Sequence, residues 1–220
     1  MMYYLLLKHL ELGMMYIPAR GKPVLWAIPF EVSQLQKAYA EISVRPYNKK
    51  AGDLLKKKIT KQTELGIRTS SMPIEMMNLL KYHSRPKKFI GEEHIFAIKL
   101  PEEIKRLKKA ASITDKLFAK LISNWKALTT ERDAANFLLA EMITHDVEPS
   151  FPTIVASGKH AANPHHETDS KKIQKGFCVI DMGVRYKRDC SDITRTVHVV
   201  KPTKKSIILY NKLLQKQKET

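Results

Sequence analysis

Three side chains in this 220-residue sequence have the type and setting to do chemistry: Asp181, Asp192 and His165. Residues 175–200 read as two β-rich segments, 177–184 and 191–200, joined by a short polar, basic turn. A hairpin closing about Tyr186 and Lys187 places Asp181 directly opposite Asp192, with both carboxylates leaving the same face of the sheet. Like charges set opposite each other destabilise a strand pair. Two acids flanked by Val179, Ile180, Met182 and Ile193 must therefore share a proton, pair with a base such as Arg185 or Arg195, or bind a cation. Carboxylate oxygens are hard ligands that suit Mg, Mn, Fe, Co or Zn, and two on one face can bridge a pair of metal ions. His165 follows Pro164 in a polar loop, where a lone histidine is ordinarily a solvated side chain. The residues by themselves leave these alternatives open.

The elements that must position these groups follow an α/β pattern. Strand-like runs at 13–17 and 23–28 flank a turn punctuated by Pro18 and Gly21, a helical stretch spans 31–40, and a strand covers 42–47. Residues 50–64 suit a helix, Ile67 begins a strand, and 72–82 suit a helix with Pro73 in its first turn. Residues 89–99 read as a linker. The best helix begins at Pro101, with Glu102 and Glu103 at its positive end and Ile104, Leu107, Ala111, Leu117, Phe118 and Leu121 expected on a buried face. Thr130-Glu131-Arg132-Asp133 has the form of a capping box, and Phe137, Leu138 and Met142 supply the next helix with its apolar side. A strand ending at Ser157-Gly158 precedes the His165 loop. A final amphipathic helix runs over 206–218, marked by Ile207, Ile208, Tyr210, Leu213 and Leu214.

Composition narrows the classes of function. A hydrophobic content of 43% supports a real core. The net charge of +17 invites a nucleic-acid reading. Its distribution argues against specific nucleic-acid binding: residues 1–99 hold 17 Lys and Arg against 8 acids, and the remainder holds 22 against 14, with short doublets and one triplet, Lys56-Lys57-Lys58, and no regular aromatic interleaving. Cys178 and Cys190 do not face each other in the hairpin, so no disulfide is suggested and a reducing, cytoplasmic location is expected. The apolar start, Tyr3 to Leu7, is too short to span a membrane and lacks a basic leader.

The wording of the motif narrows it further. Asp181-Met182-Gly183 followed by Cys190-Ser191-Asp192-Ile193-Thr194-Arg195-Thr196 resembles the dinuclear metallopeptidases of the pita-bread fold, and the second piece is similar to their Xaa-Pro dipeptidase (prolidase) and aminopeptidase P branch. Residues 101–110 resemble the first helix of that catalytic domain, and Met2 to Leu6 with Lys22 to Trp26 are similar to parts of a creatinase-type N-terminal domain. The resemblance implies an α/β (α+β) chain with a creatinase-like domain over 1–98 and the first half of a pita-bread domain over 99–220. It assigns Asp181 and Asp192 as the first metal ligands and, through Phe151 to Gly158 and Pro164-His165, gives His165 contact with the substrate and the tetrahedral intermediate. His166 receives no role, and His160 departs from an Asn common in relatives.

What the resemblance further implies is a pair of divalent ions (Mn, Co, Zn or Fe), a short proline-containing peptide as substrate, and a homodimer when complete. The remaining ligands, a His and two Glu, belong to a second half that these 220 residues do not include. Three readings follow. The chain is the N-terminal portion of a prolidase-like or aminopeptidase-P-like enzyme whose other half is missing or separately encoded, and which is inactive alone. It is a non-catalytic peptide- or protein-binding module derived from the same fold. Or it is a basic nucleic-acid-associated protein with steeply salt-dependent binding.

Overall fold

Val24–Ala27 (β2) is buried along its whole length, so it must be covered on both faces and paired on both edges. In the computed structural model, which describes residues 13–47, 64–66, 74, 77–78, 88–90 and 97–219, Gly13–Tyr16 (β1) pairs with it antiparallel and Ser43–Pro46 (β3) pairs with it parallel. The parallel pairing requires a crossover, supplied by the helix Val32–Ala38 (α1). Gln36 fixes that crossover: its side chain donates to the Ile42 carbonyl (3.1 Å) and accepts from the Val44 amide (2.9 Å). Leu25, Ala27, Leu35, Ile42 and Val44 form the core here. The strands and helix expected over 13–47 are all present. Farther on, Glu64–Gly66 (β4) pairs parallel with Lys88–Ile90 (β5), which places a strand at the start of the expected linker and makes Glu64 a strand residue. The rest of the helix expected over 50–64, the strand start at Ile67, and all but residues 74, 77 and 78 of the helix over 72–82 lie outside the described residues.

Two compact units divide the chain, Met1–Ile98 and Lys99–Thr220. The second begins with Pro101–Asn124 (α2), whose first turn carries Pro101, Glu102 and Glu103. The Glu103 carboxylate turns back to accept the Leu100 amide at 2.6 Å, satisfying a donor that the helix cannot. The buried stripe runs through Glu103, Ala110, Ile113, Thr114, Leu117 and Leu121, while Ile104 and Ala111 are exposed. The face is thus rotated from the one the apolar residues alone suggest. Thr114 explains this, since its hydroxyl meets the Ala110 carbonyl (3.0 Å) and the Ser191 hydroxyl (2.6 Å) and can be buried at little cost.

Glu131–Thr144 (α3) starts at the expected capping box. Thr130 Oγ1 accepts the Asp133 amide (3.0 Å), and Asp133 accepts the Thr130 amide (2.8 Å). After Glu148–Pro149 (β6) and Ile154–Ser157 (β7), Phe177–Met182 (β8) becomes the middle strand of an antiparallel sheet, with β7 on one edge and Ile193–His198 (β11) on the other. Every second β8 residue, Cys178, Ile180 and Met182, packs with the inner faces of α2 and α3 (Leu117, Leu121, Leu138, Met142). Side chains of this size contribute about 1.5–3 kcal/mol each when fully buried. The alternation puts Asp181 on the outer face.

Between β8 and β11 the hairpin continues through Val184–Tyr186 (β9) and Asp189–Cys190 (β10), with β6 on the other side of β9. Lys204–Glu219 (α4) closes the described chain; Ile207, Ile208, Leu209, Tyr210 and Leu213 on it are exposed.

Candidate metal centre

The hairpin register decides how the two aspartates stand. Tyr186 pairs with Asp189, so the turn is Lys187-Arg188, both with positive φ (47° and 77°), the primed turn that matches strand twist. Asp181 accordingly faces Thr194, not Asp192. The expected closure about Tyr186 and Lys187 fails because Tyr186 packs against the core as a strand residue, and because Arg106 on α2 forms a half-buried ion pair with Asp189 just past the turn. Thr194 donates to Asp181 Oδ1 at 2.7 Å.

Asp192 nonetheless shares the outer face. Ser191 is buried inward, Asp192 is exposed, Ile193 packs on the core and Thr194 is exposed, an uninterrupted alternation. Asp192 therefore stands diagonal to Asp181, one step beyond Thr194. The register runs unchanged through Gly183, where the lack of a Cβ lets the Ser191 carbonyl approach closely. The Ser191 hydroxyl takes the place of a backbone acceptor for the Val184 amide (2.9 Å), and Ser150 spans the gap, its amide donating to Gly183 (3.0 Å) and its hydroxyl to the Ser191 carbonyl (2.8 Å). Arg185 and Arg195, the bases considered for these acids, pair instead with Glu148 and Asp115, each at 3.9 Å.

His165 is exposed, its backbone amide held by Asn163 Oδ1 at 3.1 Å. Among the described residues no hydrogen bond or ion pair joins it to either aspartate. Its neighbour is firmly placed. His166 Nε2 lies 2.9 Å from Glu131 Oε2, and His160 Nδ1 lies 3.0 Å from the same oxygen. The two imidazoles stack with centroids 4.2 Å apart. Glu131 Oε1 accepts the Ser157 amide (2.7 Å) and hydroxyl (2.8 Å). Burial opposes the charge on Glu131, but donors from Ser157, His160 and His166 outweigh it and hold the carboxyl below its ordinary range. The same burial, with the Glu131 charge nearby, pushes the Cys178 thiol up to about 12.

The cluster of Glu131, His160, His166 and Asp169 was not legible as a site in the sequence. Two histidines six residues apart in a polar loop were its only signal. A glutamate just after an N-cap is ordinarily solvated, and only the return of residues 158–173 along α3 buries this one. Gly158, at φ 57°, opens that return, and residues 168–173 are tied back by Arg132 to the Thr168 carbonyl, Glu131 N to Lys171 O (3.1 Å) and Ile173 N to Thr129 O (3.0 Å).

Paired outer-face carboxylates on a sheet backed by two helices, and a second carboxylate–imidazole cluster in the same unit, define a candidate metal-dependent hydrolase. Residues 105–220 match the model of metallopeptidase family M24, and the chain belongs to that family. It is 32% identical over 210 residues to the Xaa-Pro dipeptidase of Pyrococcus horikoshii, a match covering 93% of this chain and 59% of that one. It superposes on the Xaa-Pro dipeptidase from Bacillus anthracis with a TM-score of 0.82 at 28% identity, covering 97% of this chain and 62% of that one. An X-Pro aminopeptidase from Thermotoga maritima gives 0.80 at 25% identity, covering 99% and 64%. The chain therefore has the mixed α/β, pita-bread and creatinase-like fold of these enzymes over part of their length, about three fifths of it. Among the described residues, no helix is long and apolar enough to cross a membrane.

Proposed function

We propose that these 220 residues form the N-terminal portion of a Xaa-Pro metallopeptidase, a creatinase-like domain over 1–98 followed by the first half of the catalytic domain over 99–220. In this reading the peptidase hydrolyses the bond before proline in short peptides, acts in the cytoplasm and dimerises when complete. The observation that carries it is the common outer face of Asp181 and Asp192 on the two strands of one hairpin, in a chain of family M24.

The donor set fits part of a divalent-metal site. Both aspartates offer hard oxygen ligands, and Thr194 fixes one oxygen of Asp181 so that the other has a defined direction. Two carboxylates hold a divalent ion weakly, so the resemblance's remaining His and two Glu must come from outside these 220 residues. A bound metal pair (Mn, Co, Zn or Fe) supplies Lewis acidity and lowers the pKa of water. Asp181 and Asp192 would hold and orient such a pair. His165, on the loop that His166 anchors, would donate a hydrogen bond to the carbonyl oxygen of the substrate and so stabilise the negative charge that develops there.

The test is Xaa-Pro dipeptide hydrolysis by the chain alone and with a polypeptide supplying the missing ligands, beside an Asp181→Ala, Asp192→Ala variant. Turnover confined to the completed, unmutated protein is expected. Absence of turnover in every combination refutes the enzyme reading and leaves a peptide-binding module.

A further inference from the structure

We propose that Glu131, His160, His166 and Asp169 form a separate site for one borderline transition-metal ion, Zn2+ or a chemically similar Co2+ or Ni2+. One ligand atom from each residue lies within 4.8 Å of all the others. Two of the contacts are nearly at coordination spacing. Tetrahedral zinc at about 2.0–2.1 Å from each ligand sets neighbouring ligand atoms about 3.3 Å apart, and His166 Nε2 and His160 Nδ1 sit 2.9 and 3.0 Å from Glu131 Oε2. An ion entering between them asks for shifts of a few tenths of an ångström there, with Asp169 drawing in as the fourth ligand.

The ligands are preorganised. Oε1 of Glu131 is held by Ser157, which leaves Oε2 aimed at the two rings, and the rings are locked by stacking on each other. Glu131 is completely buried, yet the side chains of His160 and His166 remain 18% and 11% exposed, so the rings form an entrance. Two imidazole nitrogens and two carboxylate oxygens select a borderline ion over Mg2+ or Ca2+, which take oxygen alone.

The proton count is simple. Without metal, His160 Nδ1 and His166 Nε2 both carry the hydrogen shared with Glu131. Each must give up that hydrogen to become a ligand, and a neutral ring does so by moving it to its other nitrogen. For His160 the other nitrogen, Nε2, lies 3.4 Å from the Lys171 ammonium, which also pairs with Asp169 at 3.1 Å. Lys171 therefore competes with the ion twice, once at each ligand. Its side chain is 64% exposed and can swing away, and its removal favours the metal. The ion would pin three segments together: the start of α3, the turn Gly158–Ala162, and the loop carrying His165.

Equilibrium dialysis with Zn2+ on the full chain carrying Asp181→Ala and Asp192→Ala tests this site without the other. One Zn2+ per chain is expected, with a raised Tm. Affinity should fall at least about tenfold in His160→Asn or His166→Gln, which keep a donor for Glu131 but lose the imidazole, and should rise in Lys171→Gln. A binding-induced shift of two imidazole resonances in the chain with His160 and His166 intact provides the same readout without touching the ligands. No Zn2+ in the aspartate variant, or undiminished Zn2+ in both histidine variants, overturns the proposal and leaves the Asp181 and Asp192 reading as it stood.

Discussion

Replacing Gly183 with alanine tests the close approach of the facing strand between Asp181 and Asp192. A Cβ at this position would lie 2.0 Å from the Ser191 carbonyl oxygen and 2.8 Å from its carbon, and 3.0 Å from Ser150 Oγ. The obstacle is backbone of the facing strand, which cannot rotate aside, so the strands must separate by more than an ångström. Five hydrogen bonds cross this gap: Ser191 N to Val184 O (2.9 Å), Val184 N to Ser191 Oγ (2.9 Å), Ser191 Oγ to Val184 O (3.2 Å), Ser150 N to Gly183 O (3.0 Å) and Ser150 Oγ to Ser191 O (2.8 Å). Losing two of them costs about 2 kcal/mol at about 1 kcal/mol each. Overpacking adds about 1–3 kcal/mol, so Gly183→Ala should destabilise this unit by about 3–5 kcal/mol. Urea unfolding measures it as a lowered midpoint at unchanged m. Gly176→Ala is the control: its φ of 107° strains any side chain, but nothing lies within 4 Å of the added carbon, so about 1–2 kcal/mol is expected. Equal effects of the two substitutions, or a Gly183→Ala protein within about 0.5 kcal/mol of the unmutated one, would refute this account of the close approach.

Other substitutions probe the same unit. Glu131→Ala leaves Ser157, His160 and His166 without their shared buried acceptor and should cost about 3–5 kcal/mol in urea unfolding. Because the folded state holds Glu131 below its unfolded value of 4.5, its contribution is full above that pH and is lost as pH falls through the folded value; Glu131→Gln should flatten this part of the acid-unfolding curve. At pH 8, iodoacetamide should label exposed Cys190 and spare buried Cys178, whose thiol is pushed up to about 12, with peptide mass spectrometry reading the ratio. Arg106→Ala removes the partner of Asp189 beside the left-handed turn and should cost about 1.5–3 kcal/mol, read as a lower Tm.

Local signals located most of the elements in each of the two units. The strands β1 to β3, the start of α2 at Pro101, the cap of α3 and the end of β7 at Ser157 all carry local signals, namely alternation, proline position and capping chemistry. Where local chemistry is ambiguous, tertiary contacts decided. The hairpin closed one residue later than expected because Tyr186 gains more by packing than by turning, and a two-residue change in register followed. The α2 face turned because a buried threonine with two partners behaves as an apolar residue in the pattern. In the candidate site, strand parity set the common outer face of Asp181 and Asp192 and survived the change of register, since a two-residue shift preserves the face. Glu131 was illegible for the opposite reason: its partners lie 26 to 35 residues away, and nothing at position 131 announces them.

The two clusters differ in what completes them, and the difference has a physical consequence. Glu131 is surrounded by donors from this chain, so its charge is stable in the buried site with or without a cation. Among the described residues Asp181 and Asp192 have one hydroxyl between them, and they tolerate each other's charge because Asp192 is exposed and Asp181 only half-buried. Any polypeptide that covers the outer face removes that solvation, and the repulsion then grows unless a cation enters or a proton binds. Metal affinity at the aspartates should therefore rise together with closure of that face, each stabilising the other through one linkage. The Glu131 site needs no such closure. Calorimetric titration of a divalent ion with and without a supplied completing polypeptide should accordingly shift one binding event and leave the other where it was. Equal shifts in both would place the two clusters in one coupled site.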